Sequence, residues 1–119
     1  MPSFDTLDPG LKPWAEWLKT VAEYNGLTVQ ITSTRRTWGQ QNSLWQRFLA
    51  CQGDPGAFGG RCLPAAPPGH SAHEKGLAFD LVVNGDFRSP EQEALGRYWQ
   101  SLGGLWGASA DPVHFGVRS

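Results

Sequence analysis

At 119 residues the chain has room for one domain and not for a second. A formal net charge of −1 without a basic cluster argues against a nucleic-acid or anionic-membrane partner. No apolar run is long enough to span a bilayer, so no membrane insertion is expected.

With 39% apolar and 18% charged residues the composition is that of a soluble globular protein, and a monomer is expected. A chain of this size can bury one core without staples. Most of the six Trp should anchor that core, leaving one or two to line a substrate groove. Cys51 and Cys62 bracket a Gly-rich stretch and either close a short disulfide loop or stay as free thiols. No C-x-x-C pair exists to make a cysteine zinc site. The N-terminus, MPSFDTLDPG, lacks a charged segment followed by an apolar one, so no signal peptide is expected.

In chain order, Asp8-Pro9 reads as an N-cap and first-turn pair. Leu11, Trp14, Leu18 and Val21 then recur at helical spacing up to a stop at Gly26. Leu27, Val29 and Ile31 alternate with polar residues and predict a strand with one buried face. A second helix is predicted from Trp38 to about Ala50, burying Leu44, Trp45, Phe48 and Leu49. Residues 52–69 are rich in Gly and Pro and predict a long loop, of the kind that often rims a site. Leu77 to Val83 alternates as a strand. Ser89-Pro90-Glu91-Gln92 starts a third helix with capping-box character, whose apolar face is Leu95, Tyr98, Trp99 and Leu102. Val113 to Val117 alternates as a last strand. The fold class is therefore α+β: a small, mostly antiparallel sheet with helices packed on one side.

The chemistry concentrates in two segments. In SAHEKGLAFD, Leu77, Phe79, Leu81 and Val83 point to one face of the strand, and Ala78, Asp80 and Val82 to the other. Asp80 thus sits opposite the large apolar residues, where an unpaired carboxylate would be costly. A turn at Gly76 can bring His73 back towards it. In DPVHFG, His114 and Gly116 share a face opposite Val113, Phe115 and Val117. If the two strands are neighbours, Asp80 and His114 project from the same sheet face and His73 completes a set of three zinc ligands. A fourth position left to water marks a catalytic site. Asp111, at the mouth of the last strand, is placed to take a proton from that water and return it to a leaving amine.

These residues resemble the zinc peptidases of peptidoglycan. That family includes D-alanyl-D-alanine carboxypeptidases and dipeptidases, and L-alanyl-D-glutamate endopeptidases of phages and bacilli. The matching positions are Ser71, His73, Gly76, Ala78 and Asp80, then Asp111 and His114, with a PPG lead-in ending at Gly69. Upstream, STRRTWGQQ is similar to the family's R-S/T-aromatic-x-x-Q segment and aligns Arg36 and Gln41. The resemblance implies a hedgehog/DD-peptidase-like fold, a Zn2+ cofactor, and Arg36 as the group that binds a substrate oxygen and stabilises developing negative charge. It places Arg36, Gln41 and Ser71 among substrate-binding residues. His70, Glu74 and Lys75 depart from the family pattern, and the Cys51–Cys62 loop is a local elaboration.

Family members with an Asp base in a D-x-x-H-F setting tend to be the endopeptidases, and Asp111, His114 and Phe115 fit that setting. An L-alanyl-D-glutamate endopeptidase of the phage endolysin type is therefore expected, with D-alanyl-D-alanine carboxypeptidase as the alternative. Such an enzyme would be made in the cytoplasm and act on the cell wall once the membrane is breached. Blander readings stand beside these. His70 is expected in a loop away from the site, Glu74 in solvent, and Ser71 in a loop hydrogen bond rather than as a nucleophile, since no G-x-S-x-G elbow surrounds it. The same fold kept as a non-catalytic wall-binding module, or as a hydrolase of another small amide or ester, are the competing functions.

Overall fold

The computed structural model describes residues 2–60 and 62–118. Four strands form one antiparallel sheet: β1 (Val29–Ser33), β2 (Ala78–Val83), β3 (Leu105–Gly107) and β4 (Asp111–Gly116), in spatial order β1-β2-β4-β3. Three helices accompany it: α1 (Lys12–Tyr24), α2 (Trp38–Gly53) and α3 (Pro90–Ser101). The α+β class is as expected. Among the described residues, no helix is long and apolar enough to cross a membrane.

The alternation in β2 sorts its side chains as the sequence requires. Phe79, Leu81 and Val83 are fully buried and form the core with Ala15, Leu18 and Ala22 of α1, Leu95 and Trp99 of α3, and Phe115 of β4. Phe79 is its hub. Its ring stacks on Phe115 at 5.7 Å and meets Trp99 and Phe4 edge-on at 5.5 and 5.3 Å. Such aromatic pairs add roughly 0.5–1.5 kcal/mol each beyond the area they bury.

Several local expectations shift. Helix α1 begins at Lys12 rather than beside Asp8: the Asp8 side chain accepts from the Gly10 amide, and its carbonyl accepts from Leu11 and Lys12, a turn that feeds the helix. Its buried stripe is Leu11, Ala15, Leu18 and Ala22, while Trp14 is 52% exposed. Two alanines at the contact let the helix lie close to the sheet, which leaves no depth for an indole. Helix α2 carries a full capping box at Thr37 and Gln40, yet adds no residue to the main core. Leu44 and Leu49 are exposed, and Trp45 and Phe48 are half-buried against each other. The expected loop is also more regular than its composition implies, because α2 continues to Gly53 and a 3-10 turn follows at Pro55–Phe58. Cys51 and Cys62 are joined as a disulfide, which settles the two alternatives left open for them. Leu102, placed on the α3 apolar face, is exposed just beyond the helix. Strand β3 was not expected at all.

Candidate metal centre

The face of β2 opposite the core carries Asp80, and its antiparallel partner across the ladder is His114 of β4. His73 arrives from a 3-10 turn, Ala72–Lys75, that ends at Gly76 in the left-handed region with φ +71°. A side chain at Gly76 would also meet the Asp8 amide nitrogen at 2.8 Å, so both torsion and space demand glycine. The turn is capped by Ser71, whose hydroxyl accepts from the His73 amide at 3.2 Å. The three side chains offer ligand atoms that all lie within 4.8 Å of one another. Asp80 Oδ1 is 3.2 Å from His73 Nε2 and 3.7 Å from His114 Nδ1. Two ligands at zinc–ligand distances of about 2.0–2.1 Å from one tetrahedral ion stand roughly 3.3 Å apart, so the spacing suits a shared metal.

Proton positions sharpen this fit. His73 Nδ1 lies 2.8 Å from the Thr34 carbonyl, which only accepts, so Nδ1 carries the hydrogen and Nε2 is the atom turned to the site. Nε2 faces Asp80 Oδ1 at 3.2 Å, and that buried oxygen has no hydrogen-bond partner among the described residues. A bare imidazole nitrogen and a buried carboxylate oxygen at this distance are unfavourable neighbours unless a cation, a proton on the ring or a metal ion, lies between them. The donor set therefore fits a metal ion held by His73, Asp80 and His114. In the metal-free protein, burial raises the Asp80 pKa, but His114, His73 and Arg36 together outweigh it and lower it to about 2.

Arg36 completes the surroundings. Its Nη2 is 3.3 Å from Asp80 Oδ2, its Nη1 donates to Gln41 Oε1 at 3.3 Å, and its amide donates to the His73 carbonyl at 3.0 Å. Gln41 is buried and donates in turn to the Ala66 carbonyl at 2.8 Å, which ties the Pro-rich loop to the site. Two open hollows of about 580 and 480 Å³ flank Arg36, the second walled by Trp38; neither is lined by the three metal-ligand candidates.

Asp111 begins β4 and senses the charges of Asp80, His114, His73 and Arg36. Burial, then the neighbouring Asp80 carboxylate, push its pKa up against the pull of the cationic groups. A raised carboxylate pKa suits a proton acceptor that must also give the proton back.

The structure thus brings together His73, Asp80, His114, Arg36 and Gln41, with Asp111 within electrostatic reach. Ser71 is buried and its hydroxyl accepts from the His73 amide, the loop hydrogen bond expected of it. His70 is exposed, and among the described residues only its backbone amide is engaged, by the Pro67 carbonyl. Glu74, expected in solvent, accepts from the Gly69 amide with both carboxylate oxygens at 2.8 and 3.0 Å and so fastens the loop to the ligand turn. Thr34, which orients His73, had no sequence signal, because its contribution is a backbone carbonyl.

The family model for VanY, D-alanyl-D-alanine carboxypeptidase, matches residues 5–99. The chain belongs to this family. Membership agrees with the family expected from the two motif segments. The VanY-family match ends at Trp99, ahead of Asp111 and His114. No curated protein sequence matches significantly. Among solved structures, the LdcB LD-carboxypeptidase superposes with a TM-score of 0.69 at 15% identity, covering 93% of this chain and 58% of that one. VanYB in complex with D-alanine-D-alanine gives 0.61 at 19% identity, over 95% and 72%. A variant of the D,D-pentapeptidase VanY from a VanB-type resistance cassette, in complex with Zn(II), gives 0.59 at 20% identity, over 93% and 72%. These likenesses establish a VanY/DD-peptidase-like fold for this chain, which spans little more than half of LdcB.

Proposed function

We propose that the protein is a zinc peptidase that hydrolyses a peptide bond in the stem peptide of peptidoglycan. The observation that carries this reading is the orphaned Asp80 oxygen, buried between two imidazoles that are poised to share one cation. His73, Asp80 and His114 would hold the zinc, and a zinc ion there supplies a Lewis acid and a water whose pKa falls towards ~7. Asp111 accepts the proton of the attacking water and returns it to the leaving amine. Arg36, held by Asp80 and Gln41, presents its guanidinium to the negative charge that grows on the scissile carbonyl oxygen. Thr34 keeps His73 in the ligating tautomer.

For the bond itself we favour L-alanyl-D-glutamate, on the strength of the Asp111-x-x-His114-Phe115 setting. The family match supports the second reading, removal of a terminal D-alanine, but it stops short of the segment that carries the acid. For the place of action we propose the cell wall, reached from the cytoplasm once the membrane is breached.

The test is mass spectrometry of purified muropeptides digested with zinc-loaded protein. New L-alanine carboxyl and D-glutamate amino ends support the endopeptidase; free D-alanine supports the carboxypeptidase. Asp111→Ala should keep one zinc per chain and lose about 10²–10⁴-fold in kcat. A wall-binding module is the answer if wild type and Asp111→Ala bind wall fragments alike and neither cleaves them.

A further inference from the structure

Strand β4 carries both a ligand and the acid, yet the stretch between them is not held by the sheet. On the β2 side the ladder pairs Asp80 with His114 and reaches no earlier residue of β4. On the β3 side, one step from Trp106 to Gly107 spans from Phe115 to Asp111 on β4, so Pro112, Val113 and His114 bulge out of that register. Pro112 has no N–H to give to a ladder. Its carbonyl, however, accepts twice: from Gln92 Nε2 at 2.9 Å and from Trp106 Nε1 at 2.7 Å. Both lone pairs of that one oxygen are therefore used, by two side chains from different elements.

Each donor is itself fixed. Gln92 is fully buried, and its other two bonds run to the Leu81 carbonyl and the Val83 amide of β2, the strand of Asp80. It is a rigid spacer between the two site strands. The Trp106 indole lies in a slot that exists only because α3 has glycine at position 96: a Cβ there would come within 2.0 Å of the indole ring.

We propose that Trp106 and Gln92 are positioning residues that clamp the Pro112 carbonyl and thereby set where the Asp111 carboxylate stands relative to the metal ligands. The inference rests on the proposed hydrolysis with Asp111 as base. The clamp acts on the peptide unit between the acid and His114, in a segment the ladder leaves loose. A base must lie within hydrogen-bond reach of the proton it takes, and displacement by about 1 Å can cost on the order of 10²-fold.

Two variants remove the indole donor by different routes. Trp106→Phe refills the slot without an N–H, and Gly96→Ala displaces the indole without changing it. Both should lower kcat per zinc-loaded site by roughly 10–100-fold, with KM within about twofold and zinc stoichiometry unchanged. Unchanged kcat per zinc-loaded site, whatever happens to stability, overturns the clamp, as does parallel loss of zinc. Should both variants fail to fold, indole hydrogen exchange in the wild type decides. Trp106 Nε1–H must exchange at least about tenfold more slowly than that of exposed Trp14, and comparable rates overturn the proposal. Asp111→Ala run alongside separates the two ideas. If it keeps wild-type kcat, the assignment of the base is wrong; if it falls while Trp106→Phe does not, only the clamp is wrong.

Discussion

The two faces of β2 are built on opposite terms. On one, Phe79, Leu81 and Val83 are fully buried against helices α1 and α3, and every contact is made by the chain alone. On the other, Asp80 stands with an unsatisfied oxygen between His73 and His114. The first face is complete as folded; the second carries a donor set that could hold a cation. Adjacent residues of one strand therefore divide the labour, stability on one side and chemistry on the other, and damage to the two faces should be separable.

The largest effects belong to the incomplete face. His73→Ala or His114→Ala leaves two of three ligands, and the expected result is zinc content near zero by elemental analysis and hydrolysis lowered by at least ~10³-fold. Folding should survive, because neither side chain is part of the apolar core. On the complete face the pattern inverts. Phe79→Ala should cost roughly 3–5 kcal/mol in urea unfolding, since its ring contacts Phe4, Trp99 and Phe115. The fraction that remains folded should still bind one zinc. Loss of zinc by folded Phe79→Ala protein, or unfolding of both histidine variants, would break the division between the faces.

A cation should also be visible as stability. Zinc at about 100 times its dissociation constant should stabilise the fold by about 2.7 kcal/mol, with a matching rise in the thermal midpoint. Asp80→Asn removes most of that gain. A wild-type midpoint indifferent to zinc would mean that the donor set holds no ion.

The sequence exposed this division because it lies in one strand: period-two alternation put Asp80 opposite Phe79 and His114 opposite Phe115, and the structure supplies the pairing of the two strands. The candidate ligands Asp80 and His114 were legible for that reason, and His73 through the turn at Gly76 and the family resemblance. What escaped depends on contacts that no local pattern encodes. Trp14 and Leu18 both fit a helical face, and only the close approach of α1, allowed by Ala15 and Ala22, decides which is buried. Ser89 to Gln92 reads as a capping box, and Ser89 does cap the Gln92 amide. The Gln92 side chain, however, turns away to the strands, drawn by an open carbonyl at Pro112. Strand β3, three residues long, is too short to alternate visibly. Thr34 and Ala66 act through backbone carbonyls, which their side chains do not announce.

The smallest effect sharpens the comparison through pH, in protein stripped of metal. Asp80 has a folded pKa of about 2, below its ordinary 3.8, so its ionised form is favoured by folding. The stabilisation is full above the unfolded pKa and is lost as pH falls through the folded one, a window from about pH 4 down to about 2. Its size is on the order of 2 kcal/mol, since a tenfold change in proton affinity is worth ~1.4 kcal/mol. Asp111 works the other way. Its pKa is raised by burial and by Asp80, so its penalty is felt at higher pH and relaxes as the carboxyl is protonated, before Asp80 begins to titrate. Urea midpoints of the stripped protein should therefore fall between pH 4 and 2, and Asp80→Asn should flatten that slope without touching the core face. Equal slopes in wild type and variant would mean that Asp80 owes nothing to His73, His114 and Arg36, and that the site face is less tightly drawn together than its distances indicate.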